Sequence, residues 1–217
     1  MTTIAASSVH SGTSTTAART RRARLACLAA AGPLYVASGL TQALTRDGFD
    51  LTRHPLSLLS NGSLGWIQIS TFMAAGVLTI VGAPGLRTAR RLVALYGAGL
   101  VAAGAFVADP MDGFPVGTPP GPPAVVTWHG MLHFMAGGVG FLGLIAACLV
   151  TARRLGRAGR GGWAIYSAVT GVLFTAAFVG IASGSASPVL NISFGVAVTL
   201  GWTWLTAVAL DAGRADA

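Results

Sequence analysis

Two histidines, His129 and His133, stand four residues apart in the run Trp128-His129-Gly130-Met131-Leu132-His133. On a helix that interval puts both imidazoles on one face, a turn apart. The spacing suits two ring nitrogens on one zinc or another divalent metal, and a third ligand would have to come from elsewhere. His54, Asp109 and Asp112 are the residues that supply one. Two other readings compete with the metal: a pair that handles protons or binds a ligand, and a pair that hydrogen-bonds a carboxylate or backbone carbonyls across helices and fixes their packing. The His-Glu-x-x-His of metalloproteases is absent, so the interval leaves all three open.

Asp109 precedes Pro110, which halts a helix. A carboxylate at a helix C-terminus opposes the macrodipole. A basic partner is therefore expected within hydrogen-bond or one-water reach, and Arg53, His54 and His129 are the suppliers. Read functionally, Asp109 is a metal ligand or general base. Ser57, in Arg53-His54-Pro55-Leu56-Ser57, is either a polar wall or a nucleophile, although no partner pattern of a serine hydrolase accompanies it. Arg53 suits an anionic headgroup or carboxylate; structurally it pairs, with Arg46, to Asp47 and Asp50. His54, Asp112 and Asn191 complete the ligand-binding candidates. Residues 117–123 (GTPPGPP) read as a stiff, extended connector.

The elements that must hold these residues are membrane helices. Of 217 residues 53% are hydrophobic and only 9% charged, against about 25% charged in a soluble domain. The apolar residues fall into six blocks near the roughly 20 residues that a bilayer crossing needs: 25–44, 64–86, 92–108, 124–152, 163–183 and 189–210. The third is short and the fourth long. If the fourth starts at Ala124, His133 lies roughly 13 Å along it, a depth at which an ionisable group faces the bundle interior. Before the first block, residues 1–22 read as a disordered cytoplasmic tail; 23–211 form the six-helix domain and 212–217 a cytoplasmic C-terminal tail.

Arginine placement orients the chain. Arg19, Arg21, Arg22, Arg24, Arg87, Arg90, Arg91, Arg153, Arg154, Arg157, Arg160 and Arg214 fall on one side, and Arg46 and Arg53 on the other. Both termini are thus expected in the cytoplasm. The net charge of +8 reflects these flanks, which meet anionic headgroups, and nucleic acid is not an expected partner. Trp66, Trp128, Trp163 and Trp204 are placed as an interfacial belt. Cys27 and Cys148 sit in apolar blocks on the reducing side, where a disulfide is not expected. Ser183, Ser185, Ser187 and Asn191 add to the polar residues collected at the outer side.

Three motifs carry a resemblance. Phe49-Asp50-Leu51-Thr52-Arg53-His54-Pro55-Leu56-Ser57, then Ala108-Asp109-Pro110 with Gly113-Phe114-Pro115, then Trp128-His129-Gly130-x-x-His133 resemble the bacterial membrane proteins catalogued as domain of unknown function 998. The likeness runs from Leu25 to Leu210 and implies a multi-pass protein of the bacterial plasma membrane, with no established activity. Ser, Asp and three His also occur in membrane hydrolases related to alkaline ceramidases, which this chain resembles in ingredients alone. The expectation is an all-α, six-span bundle, both termini inside, with an outward polar pocket that binds a lipid or small polar ligand. The alternatives are a metal-dependent membrane hydrolase and a proton-coupled carrier.

Overall fold

In the computed structural model the described residues are 7–184 and 187–215. They form six α-helices and no β-strand, apart from an isolated bridge between Met111 and Phe114. The helices are α1 (Ser7–Thr45), α2 (Gly65–Gly82), α3 (Arg90–Ala105), α4 (Trp128–Arg157), α5 (Gly161–Ala182) and α6 (Pro188–Arg214), with short 3₁₀ turns at Leu56–Ser60 and Ala83–Gly85. Five of the six are long and apolar enough to cross a membrane. The exception is α3, whose 16 residues rise only about 24 Å.

Several boundaries differ from the sequence reading. Helix α1 begins at Ser7, inside the segment expected as a disordered tail; residues 1–6 lie outside the described residues. Ala and Arg, which crowd residues 17–30, are strong helix formers, so the apolar span continues outward as helix. At the other end α6 runs to Arg214 through residues assigned to the C-terminal tail; Asp216 and Ala217 lie outside the described residues, as does Ser185. Helix α4 begins at Trp128, four residues later than expected, because Thr127 caps it. His133 therefore lies only about 7 Å into its helix.

Each helix packs on its neighbour in the chain, and α6 returns to α1, so the six close into a ring. The ring is filled by Tyr35, Tyr96, Leu144, Phe174 and Trp202, drawn from all helices but α2. Tyr35 stacks on Trp202 with centroids 5.1 Å apart, and Tyr96 meets the same indole at 5.1 Å. Where lipid surrounds helices, hydrophobicity does not press them together and close backbone contact must. Helices α3 and α4 show it: a Cβ on Gly99 would stand 2.8 Å from the Gly140 Cα. Trp204 is a correction to the interfacial belt. It is buried in the core, and its Nε1–H donates to Ser167 Oγ at 2.9 Å.

Side-chain bonds tie the arginine-bearing termini together at one end of the ring. Arg21 Nε donates to the Gly85 carbonyl at 2.9 Å, Arg154 to the Arg87 carbonyl at 3.1 Å, and Arg160 grips Asp211 through two bonds of 2.7 and 2.9 Å. At the opposite end the α1–α2 and α3–α4 loops fold onto each other. They bury a small second core of Ala43, Leu58, Leu59, Ala108 and Phe114. These loops are a folded cap.

Candidate functional site

The cap is built from the polar residues that the sequence marks as candidates. His54 is almost fully buried, 1% exposed. Its Nδ1 accepts the Asp50 N–H at 2.9 Å, which places the ring proton on Nε2, and Nε2–H donates to the Asp112 carbonyl at 2.9 Å. The ring joins the first loop to the second and uses both nitrogens in doing so. It packs between Phe49 and Phe114, at centroid distances of 5.2 and 5.6 Å. Asp112 presents its carbonyl because Asp112-Gly113 forms a tight turn with both φ positive, 53° and 88°, closed by paired bonds between Met111 and Phe114. The 117–123 segment is no extended arm: Asp112 N–H reaches the Gly121 carbonyl and Gly113 N–H the Pro119 carbonyl.

Asp109 finds a different partner from those expected. Its Oδ2 accepts the Thr127 N–H at 2.9 Å and its Oδ1 the Thr127 hydroxyl at 2.6 Å, while Thr127 Oγ1 accepts the Gly130 N–H at 3.1 Å. No direct bond joins it to Arg53, His54 or His129 among the described residues. The charge set against the C-terminus of α3 is thus compensated by the N-terminus of α4, whose dipole favours an anion. Gly130 is part of the arrangement: a Cβ there would land on Asp109 Oδ2.

The histidine pair is split. His133 is buried, and its Nδ1–H is shared between the carbonyls of Ala103 and Phe106, at 2.9 and 2.8 Å. These are C-terminal carbonyls of α3 that lack helical partners. His129 is exposed in the first turn of α4 and stacks on Trp128 with centroids 3.5 Å apart. The four metal candidates His54, His129, His133 and Asp109 are therefore not drawn into one cluster, and no group of three His, Cys, Asp or Glu arranged for a metal occurs among the described residues.

Arg53 is exposed and pairs with Asp50 at 3.1 Å. Asp50 also accepts the Thr52 N–H and hydroxyl, and these bonds, helped by Arg53, hold its carboxyl below the ordinary range. Ser57 is half-buried in the 3₁₀ turn, and its carbonyl accepts the Ser60 hydroxyl at 2.7 Å. Asn191 reaches from α6 to the Leu51 carbonyl at 2.9 Å, and its buried Oδ1 has no partner among the described residues.

Sequence reasoning missed Arg46 and Asn61. Arg46 makes no ion pair with Asp47 or Asp50. Its guanidinium donates to the carbonyls of Leu59 and Asn61, the second at 2.6 Å, and lies over the Phe114 ring at 4.9 Å. Asn61 donates in turn to the Ala108 carbonyl at 3.0 Å. No local signal marks either role. Thr127 was missed as well, since the fourth block starts at Ala124 in the sequence reading, although a threonine just before a helical run is a capping signal.

Beside the cap, a cleft of about 340 Å³ opens between α1 and α2, lined by Ala37, Ser38, Thr41, Gln42, Thr45 and Arg46, with Leu64 and Ile67 opposite. Its floor is polar. Ser38 and Thr71 hydroxyls meet at 2.7 Å, and Gln42 Nε2 donates to Gln68 Oε1 at 2.9 Å.

Long apolar helices closed into a ring, with a hydrogen-bonded cap at one end and arginines at the other, define a multi-pass membrane protein. Within that class the chain belongs to the family described as Protein of unknown function (DUF998), whose model matches residues 29–211. No curated protein and no solved structure matches it significantly.

Proposed function

We propose that this protein spans the plasma membrane six times with both termini cytoplasmic, and that it binds a lipid in the lateral cleft between α1 and α2. One observation carries the binding reading: a mainly apolar cleft whose α1 wall carries Ser38, Thr41 and Gln42 is cut into two helices apolar enough to span. Polar groups facing hydrocarbon are costly and are kept where something polar meets them. The Thr41 hydroxyl is exposed and finds no partner among the described residues. The cap covers the end of the bundle with bonds already made, so the open approach is sideways, from the bilayer. A lipid fits that approach better than a small polar solute.

Arginine placement supports the orientation, and the twelve arginines on one side gather at the ring end opposite the cap. Helix α3 would cross as the short member, held between α2 and α4. A cysteine at Thr118 should react with an impermeant thiol reagent in intact cells, and one at Ala158 should not.

The binding reading is tested with a photo-crosslinking amino acid at Thr41, and at Leu34 on the exposed face of α1 as control. The expected result is a restricted lipid set at position 41 and the bulk lipid mixture at 34. The same mixture at both positions would overturn it.

A further inference from the structure

A cation, Arg46, is among the residues that line the cleft. Arg46 follows directly on the last residue of α1, and its guanidinium is held by two carbonyls of the first loop and by the Phe114 ring. Those two bonds occupy two of the roughly five N–H groups that a guanidinium offers, so most of its donors are left without a protein acceptor. Nor does a carboxylate neutralise it among the described residues. Asp50 is engaged with Thr52 and Arg53, Asp109 with Thr127, and Asp47, its chain neighbour, is exposed and forms no ion pair with it. Burial alone lowers the Arg46 pKa, the mark of a charge partly removed from water without a counter-charge. Along α1 the cleft wall then carries Thr45, Gln42, Thr41, Ser38 and Ala37, and Leu64 and Ile67 complete the lining. From Arg46 to Ser38 this wall runs about 12 Å along α1, a distance within the length of one phospholipid.

Resting on the lipid-binding reading above, we propose that the α1–α2 cleft is a site for a phosphate-bearing lipid, with Arg46 on the headgroup phosphate and the Thr41–Thr45 hydroxyl ledge beside the glycerol. Guanidinium and phosphate form paired, charge-assisted hydrogen bonds, and a guanidinium held in place in advance loses little side-chain freedom when it binds.

The test uses the full-length protein in detergent and measures binding of three probes: a phosphatidylglycerol, the diacylglycerol with the same chains, and sn-glycerol 3-phosphate. The parent should prefer phosphatidylglycerol over diacylglycerol by about tenfold or more, and glycerol phosphate should not compete, since it lacks the chain. Arg46→Gln should erase the preference for phosphatidylglycerol. Because Arg46 also holds the cap, a second variant, Thr45→Asp, sets a carboxylate beside the guanidinium without removing it, and should erase the preference equally. Thr41→Trp, which fills the cleft, should abolish binding of both lipids. Equal binding of the two lipids by the parent, or a preference that survives Thr45→Asp, overturns the phosphate assignment and leaves the cleft reading standing. Lipid binding that Thr41→Trp does not reduce overturns the cleft itself, and this proposal with it. Competition by glycerol phosphate would show a soluble phosphate site and overturn the lipid assignment.

Discussion

Replacing His54 by Ala should loosen both loops of the cap at once. The ring makes two hydrogen bonds at 2.9 Å, to the Asp50 N–H and the Asp112 carbonyl, while 1% exposed. Each is worth about 1 kcal/mol net, and removing the ring leaves both backbone groups without their partner. Loss of its packing on Phe49 and Phe114 adds about 1 kcal/mol for the hole. The cap should therefore open more readily by about 3 kcal/mol, which is roughly a hundredfold in the rate of amide exchange by local opening. His54→Phe keeps the packing and loses the bonds, so about 2 kcal/mol, or some thirtyfold, is expected of it. Hydrogen exchange read by mass spectrometry on peptides covering 46–64 and 107–127 measures both, with α5 as the internal control. The reasoning requires the second loop to respond, since His54 lies in the first. If exchange in 107–127 stays within about threefold of the parent while 46–64 speeds up, His54 does not latch the loops and the account of the cap fails.

Two further perturbations follow from the same geometry. Gly130→Ala should destabilise the protein by about 2 kcal/mol or more, because its Cβ displaces the Asp109 carboxylate from the cap of α4; a thermal-unfolding midpoint in detergent equal to the parent's would refute this. For Asp50 the folded-state pKa is depressed, so its contribution is full above the unfolded value of about 3.9 and is lost as pH falls through the folded value. Pepsin cleavage at Phe49–Leu51, normalised to an unfolded peptide, should accelerate below about pH 4 in the parent and not in Asp50→Asn; the same acceleration in both would place the acid sensitivity elsewhere.

How much of this was legible follows from which groups have sequence-visible partners. The apolar blocks and arginine flanks are properties of side chains alone, and five of the six blocks correspond to helices long and apolar enough to span. The short third block became the short α3, since block length and helix length are set by the same run of residues. Helix α1 starts ahead of the first apolar block because apolar count is a membrane signal, whereas helix formation needs only propensity, which the Ala/Arg-rich residues before that block supply.

The candidate site was legible in its residues and not in their partners. His54, Asp109, Asn61, Asn191 and Arg46 were visible as polar residues at one end of an apolar bundle, and they do assemble there. Their partners, however, are overwhelmingly main-chain groups: the carbonyls of Asp112, Ala108, Leu51, Leu59 and Asn61, and the N–H groups of Asp50 and Thr127. Every residue offers a carbonyl and nearly every one an N–H, so no side-chain pattern announces which will be left over when two loops cross. A search for side chains that complete one another, a third histidine for two or an arginine for an aspartate, finds metal sets and ion pairs where the fold has built loop latches. The residue that escapes this rule is Arg46. Its carbonyl bonds settle its position without neutralising its charge. The lipid phosphate proposed above would supply the counter-charge that the described residues do not.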